Sequence, residues 1–296
     1  MAGLNNYIPF MKYKWLYFAI SLLVLLPGIY SLIRYGLRLS IDFTGGTLLE
    51  IQASSSANFA TTAKAQGLDL SSVQSAGADS YLLRFKPTTH EQNEKFKAEL
   101  QKLTGPITEK RFETVGPTIG RELTQKAIFA VILASLFIIL YISWTFRQIP
   151  KKYTSWKFGI SAVIALLHDA FVVLGLFSLF GHFYHVEIDS LFVTAVLTVI
   201  GFSVHDTIVV FDRIRENLVK LPQSTFEQVV DFSLTETLAR SLNTSLTVTL
   251  TLTALLLFGG ESIRWFVAAL LIGVVSGTFS SIFNAAPLLV LWESRK

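Results

Sequence analysis

Six apolar runs dominate this chain: Trp15–Ile33, Ile128–Phe146, Phe158–Phe180, Ile188–Phe211, Ala239–Phe258 and Trp265–Trp292. A helix of about 20 apolar residues spans a hydrocarbon core. In lipid, a spanning segment must pair its own backbone groups. The class that follows is a polytopic α-helical membrane protein with six transmembrane helices. Composition agrees, since 51% of the 296 residues are hydrophobic and 16% are charged, against about a quarter charged in a soluble domain. A net charge of +4 is too small to argue for nucleic acid as a partner and fits membrane orientation better. With no Cys in the chain, disulfides, thiolate metal sites and thiol nucleophiles are excluded.

Residues 1–14 precede the first run, which is too long for a signal-peptide core and lacks a small-residue cleavage site, so it reads as an uncleaved helix over 15–34. Residues 35–125 return to polar character. Thr47–Gln52, Leu70–Ser75, Tyr81–Lys86 and Ile107–Val115 read as strands; Asn58–Gln66 and His90–Leu103 read as helices. That order, strand-helix-strand-strand-helix-strand, predicts a small ferredoxin-like α+β domain between helices 1 and 2. Residues 126–296 hold helices 2 to 6. Their connections at 147–157 and 212–238 are basic (Arg147, Lys151, Lys152, Lys157; Arg213, Arg215, Lys220), as are Lys12, Lys14, Arg295 and Lys296. The connection Gly181–Asp189 has no Lys or Arg. The positive-inside rule then places both termini in the cytosol and the α+β domain on the extracytoplasmic side. Within 217–238, the spacing of Leu218, Phe226, Val229, Val230, Phe232, Leu234 and Leu238 predicts an interfacial helix on the cytosolic face.

Charges inside the spans are the candidate site. Asp206 lies about 27 Å into the fourth run at 1.5 Å per residue. An Asp at a helix centre costs about 2.5–3.5 kcal/mol on insertion scales, so such residues usually face the protein and have a task. A carboxylate reaching the interface, or capping a helix, is the alternative. Ser203, three residues earlier, shares its face and is a hydrogen-bond candidate; His205 points about 100° away. Arg240, which opens the fifth span, reads either as a positive-inside flank or as a counter-ion that protonation of Asp206 would release. Asp169, about 16 Å into the third run, reads as a relay or as a structural hydrogen-bond acceptor, with His168 beside it. Small and hydroxyl residues crowd the last two spans, and Gly273, with Gly277 one turn on, marks a close-packing face. His182, His185, Glu187 and Asp189 make a weak metal pattern and read as ordinary interfacial residues. In Ile41-Asp42-Phe43-Thr44-Gly45-Gly46-Thr47, the glycine pair supplies positive φ or close approach. No phosphate loop, nucleophile elbow or HExxH occurs, so the chain offers no means of hydrolysing ATP and does not read as an enzyme.

Four motifs together, IDFTGGT at 41–47, GPTIGREL at 116–123, GFSVHDTIVVFDRIREN at 201–217 and ETLARSLNTSLTVTLTLTALLLFGG at 236–260, resemble the SecF side of the SecD/SecF family over about residues 13 to 293. The resemblance implies a resistance-nodulation-division type fold in the cytoplasmic (inner) membrane. It implies an accessory role in protein export, coupling the proton motive force to late-stage preprotein translocation with the proton gradient as energy source and no cofactor. SecD, the SecYEG channel, the translocating preprotein, SecA and YajC/YidC-like subunits are the partners implied, within the lipid bilayer. The family's proton-linked carboxylate and arginine fall on Asp206 and Arg240, and its third-helix His-Asp on His168 and Asp169. Where the family often has Asn before the fourth-helix Asp, this chain has His205. Two other readings stand beside this one: a structural subunit that stabilises SecD and the channel without carrying protons, and a small-molecule exporter of the same superfamily, for which residues 35–125 look too small.

Overall fold

The computed structural model of the chain describes residues 7–53, 59–75, 79–145 and 153–293. Within these residues six helices are long and apolar enough to cross a membrane, as the apolar runs predict. The residues divide into two compact units, one of residues 39–129 and one of residues 1–38 with 130–296.

A 3₁₀ turn at Phe10–Tyr13 leads into α1 (Lys14–Tyr35), which keeps Pro27 inside it. The smaller unit then begins. One helical turn, α2 (Ile41–Thr44), precedes β1 (Gly46–Gln52), α3 (Phe59–Ala65), β2 (Leu70–Ser75), β3 (Ser80–Phe85), α4 (His90–Thr104) and β4 (Thr108–Val115). The strands form an antiparallel sheet of order β2-β3-β1-β4, the ferredoxin-like arrangement expected. Alternation places Leu49, Ile51, Leu83 and Phe85 on the face covered by Phe59 of α3 and by Phe96 and Leu100 of α4. A capping box between Thr89 and Gln92 starts α4. Gly45 (φ +72°) and Gly46 (φ +125°) occupy conformations that side chains rarely adopt. A Cβ on Gly45 would lie 2.9 Å from Pro117 Cα, and one on Gly120 would lie 2.9 Å from both the Gly45 nitrogen and the Phe43 oxygen. The IDFTGG and GPTIG segments therefore need their glycines in order to touch each other.

The larger unit takes α1, the later part of α5 (Pro117–Thr145), then α6 (Ser155–Tyr184), α7 (Ser190–Lys220), α8 (Phe226–Phe258) and a sixth span made of α9 (Arg264–Ser280), a π-helical segment (Ser281–Ala285) and α10 (Ala286–Glu293). Half of the most apolar window of α6, α7 and the sixth span is buried, whereas α5 and α8 expose nearly all of theirs. Glycines set the closest crossings. A Cβ on Gly175 would lie 2.6 Å from Gly28 Cα, fixing α1 against α6. Gly273 and Gly277 meet Val199 and Ser203, closing α9 on α7 along the small-residue face expected.

The structure shortens the connection expected over 212–238. α7 runs unbroken to Lys220 and α8 starts at Phe226, so 221–225 suffices. The charged stretch stays helical because its charges are paired. Arg213 holds Glu216 at 2.5 Å and Glu236 of α8 at 2.7 Å, and the Asn217 amide donates to Glu236 at 2.8 Å. No separate interfacial helix forms: the amphipathic stretch is the tail of α7 and the first turns of α8, opened by a Thr225–Gln228 capping box and burying Val229, Val230 and Leu234. At the other basic connection α6 begins at Ser155; Arg147, Lys151, Lys152, Arg295 and Lys296 lie outside the described residues.

The glycine crossings make a direct test. Gly175→Ala should lower stability in detergent by about 1–3 kcal/mol, the usual cost of overpacking. Gly201→Ala, which meets nothing within 4 Å, should be neutral or add up to about 1 kcal/mol of helix propensity. Thermal or denaturant unfolding of the two variants checks the contrast.

Candidate functional site: two buried carboxylates in the helix bundle

Asp169 sits near the middle of α6, about 21 Å from its first residue, and Asp206 near the middle of α7, about 24 Å along. Both are buried, at 1% and 3% exposure. Because α7 continues past the charged stretch, Asp206 is not close to a helix end as the run length suggests.

Asp169 is the more completely partnered. The Ser203 hydroxyl of α7 donates to Oδ2 at 2.5 Å, as does Ser280 of α9 at 2.5 Å. The Ser276 hydroxyl donates to Oδ1 at 2.7 Å, and His168 Nδ1 lies 3.0 Å from the same oxygen. An ionised carboxylate offers about four acceptor sites and no donor, so all four neighbours serve it. Ser276 and Ser280 are one turn apart on one face of α9, and Gly277 between them admits α7: a Cβ there would lie 3.1 Å from Ser203 Cβ and 3.6 Å from Asp169 Oδ2. A second hydroxyl pair, Thr207 with Ser281 at 2.9 Å, continues the polar seam into the π segment.

Asp206 has a sparser shell. Its Oδ2 accepts from the Ser245 hydroxyl of α8 at 3.4 Å, a long bond. Thr278 of α9 lies 2.6 Å from Ser245. Thr278 is about 200° around α9 from Ser276 at 100° per residue, so one stretch of α9 serves Asp169 on one side and Asp206, through Ser245, on the other.

Two expected contacts are absent. Ser203 does share a face with Asp206, yet its hydroxyl goes to Asp169, because α6 stands closer to it than the Asp206 carboxylate. Arg240 makes no ion pair with Asp206 among the described residues; it is exposed and lines a polar cleft with Asp212, Arg213, Glu216 and Glu236. The cause is rotation, not depth. Thr237, Ser241 and Ser245 form the buried i, i+4 stripe of α8 that meets the bundle, and Arg240 sits about 100° off it. His205 is exposed on α7, turned away from Asp206 as its position predicts.

Three polar features carry no clear sequence signal. Lys157 and Glu293 pair at 3.0 Å with both side chains largely buried. Asp231 accepts from the Met11 backbone N–H at 2.9 Å and ties the N-terminal turn to α8. Asn284, in the π segment, accepts from Ser21 of α1 at 2.7 Å. Near the other helix ends, Asp189 caps α7 through the Phe192 N–H, Arg38 bonds His185 at 2.8 Å, and His182 stacks on Tyr35. Among the described residues no His/Cys/Asp/Glu group could hold a metal.

This six-span bundle with an α+β domain between its first two helices matches known proteins. The family model described as "Protein export membrane protein SecD/SecF, C-terminal" matches residues 95–295, and the SecD/SecF GG motif matches residues 30–57. The chain belongs to the SecD/SecF family. It is 46% identical to a protein translocase subunit SecF of Thermobaculum terrenum, over 97% of this chain and 95% of that one. It is 35% identical to a protein translocase subunit SecDF of Bacillus subtilis, over 97% of this chain and 39% of that one. Among solved structures, the crystal structure of SecDF from Thermus thermophilus superposes with a TM-score of 0.84 at 31% identity, covering all of this chain and 40% of that one. The chain thus spans under half the length of the SecDF proteins that it resembles. The GG segment matched by the family motif is the one whose glycines meet the GPTIG segment.

The unequal shells predict unequal costs. Asp169→Leu orphans the hydroxyls of Ser203 and Ser276 and the His168 Nδ1, each worth about 1–3 kcal/mol before relaxation, and leaves Ser280 only its 3.2 Å bond to the Gly277 carbonyl. Asp206→Leu removes the partner of two hydroxyls, Ser245 and Thr278, which still have each other at 2.6 Å. Asp169→Leu should therefore lower the melting temperature in detergent far more than Asp206→Leu. Equal losses would show that the hydroxyl cluster is not what fixes α6, α7 and α9.

Proposed function

We propose that the chain is a SecF-type subunit of the protein translocase, working with SecD in the cytoplasmic membrane to couple the proton motive force to late preprotein translocation. In this reading both termini are cytosolic and the α+β domain is extracytoplasmic, as the basic connections suggest. The observation that carries it is the contrast between two buried carboxylates served by one stretch of α9. Asp169, with three serine hydroxyls and His168 around it, joins three helices. Asp206, with only the Ser245 and Thr278 hydroxyls beside it, is the group proposed to exchange a proton. Protonating Asp206 removes its claim on Ser245 and Thr278 and lets α8 shift against α9, a motion the α+β domain would follow. One charge crossing 100 mV releases about 2.3 kcal/mol, enough to bias a bistable movement though not to unfold a preprotein.

The exposure of Arg240 and His205 supports a shared relay. Arg240, at the edge of a polar cleft, and His205, exposed on α7, are open to a further polar partner, and SecD is the partner proposed. The SecDF relatives support this, since this chain matches about two-fifths of each. SecYEG, SecA, YajC/YidC-like subunits and the preprotein complete the assembly proposed. A structural role is favoured for Asp169 alone, by its saturated shell.

Proton flux in vesicles tests the assignment. Asp206→Asn should keep the wild-type melting temperature and abolish flux with SecD present; normal flux in that variant would overturn the mechanism. Arg240→Met should lower flux only when SecD is present and leave the melting temperature of the chain alone unchanged, because Arg240 makes no ion pair among the described residues.

A further inference from the structure

A polar cleft of about 550 Å³ lies where α1 and α6 end side by side, at the far ends of these helices from Lys14 and Lys157. Arg34, Arg38, His182 and His185 line it. Arg38 Nη1 donates to His185 Nδ1 at 2.8 Å, and Arg38 Nε lies 3.4 Å from Glu187 Oε1. A guanidinium only donates, so His185 accepts at Nδ1 and carries its hydrogen on Nε2, as a further donor. The Arg34 guanidinium lies 5.9 Å from the centre of the Tyr35 ring, and His182 stacks on that same ring at 3.8 Å. Arg34 is exposed and makes no ion pair or hydrogen bond among the described residues.

Glu187 answers one guanidinium and leaves the other without a counter-charge. The cleft therefore keeps a net positive charge and a surplus of N–H donors. Planar guanidinium donors match the oxygens of a phosphate-type anion better than any other common partner. Two features place that anion at a membrane surface. Tyr30 and Ile33, on the last turns of α1, are 64% and 82% exposed, and Tyr184, ending α6, is 72% exposed. Exposed tyrosines at the ends of spans mark the depth where hydrocarbon meets headgroups. The nearby connection Gly181–Asp189 has no Lys or Arg, so by the positive-inside rule this is the end of the bundle where arginines do not serve orientation.

We propose that the cleft binds the phosphate group of an anionic phospholipid, its oxygens taking N–H groups of Arg34 and Arg38 and its acyl chains lying on the exposed flank of α1 at Tyr30 and Ile33. The lipid ties the end of α1 to the end of α6, beyond the crossing set by Gly28 and Gly175. This inference does not depend on the proton-coupling reading.

The test uses the full-length chain in phosphatidylcholine vesicles with a trace of photoreactive phosphatidylglycerol or photoreactive phosphatidylcholine, each carrying a diazirine near the headgroup end of one acyl chain. Within residues 30–38 and 178–186 the phosphatidylglycerol probe should give about tenfold more adducts, the effect expected of a charge-assisted hydrogen-bond pair. Unlabelled phosphatidylglycerol should compete, and millimolar inorganic phosphate should not. Arg34→Gln should drop those adducts toward the phosphatidylcholine level and leave the melting temperature unchanged, whereas Lys12→Gln, at the other end of α1, should leave them as they are. Displacement by inorganic phosphate would overturn the lipid assignment and leave a site for a free anion. Equal labelling of those segments by the two probes, or labelling that Arg34→Gln does not alter, would overturn the proposal altogether.

Discussion

The structure depends on one buried, fully hydrogen-bonded carboxyl group in the middle of a membrane bundle. An unpaired charge there is excluded by its solvation cost, so the bundle is built around the donors that Asp169 needs. Ser203 comes from α7, Ser276 and Ser280 from α9, and His168 from its own helix. Each donor must stand within hydrogen-bond reach of one side chain. That requirement fixes the spacing and rotation of three helices at once, which apolar contacts alone do not, since in lipid they carry little hydrophobic driving force.

Such convergence demands close approach, and glycines permit it. Gly277 brings α9 onto Ser203, Gly273 does the same one turn away against Val199, and Gly28 and Gly175 let α1 rest on α6. These positions are where any side chain would push the donors out of reach. The hydroxyl cluster and the small-residue face are thus one device: the glycines set the distance and the serines spend it on a carboxylate. The π segment follows directly. It carries Ser281 to Thr207 and turns Asn284 toward Ser21, just before Pro287, whose ring supplies no N–H to the helix.

Much of this was legible in the chain. Span number came from run length, and the α+β domain came from alternation, with strand ends displaced by a residue or so. Gly273 and Gly277 were readable as a packing face because their i, i+4 spacing has a geometric meaning. What the chain does not carry is azimuth between helices. Arg240 and Asp206 matched in apparent depth, but contact depends on which stripe of α8 faces α7, and the Thr237, Ser241, Ser245 stripe takes that place. Asp212-Arg213 looked like a helix stop because charge is costly in lipid; the partners that keep it helical, Glu236 above all, lie on another helix. Asn284 gave no signal, since a lone Asn in an apolar run has no period.

The two carboxylates then separate by the number of donors around each. A carboxyl group ringed by three hydroxyls and an imidazole is tied to the packing of α6, α7 and α9. The Asp206 carboxyl has fewer partners, the hydroxyls of Ser245 and Thr278, the former at 3.4 Å. The stretch of α9 between Ser276 and Ser280 touches both shells. In the proposed cycle, a movement started at Asp206 would pass through Ser245 and Thr278 to a helix whose opposite face is held by Asp169. Such a helix rotates about its pinned side more readily than it translates. Rotation is also the motion that would carry Arg240 and His205, on the exposed flank of α7 and α8, relative to whatever covers them.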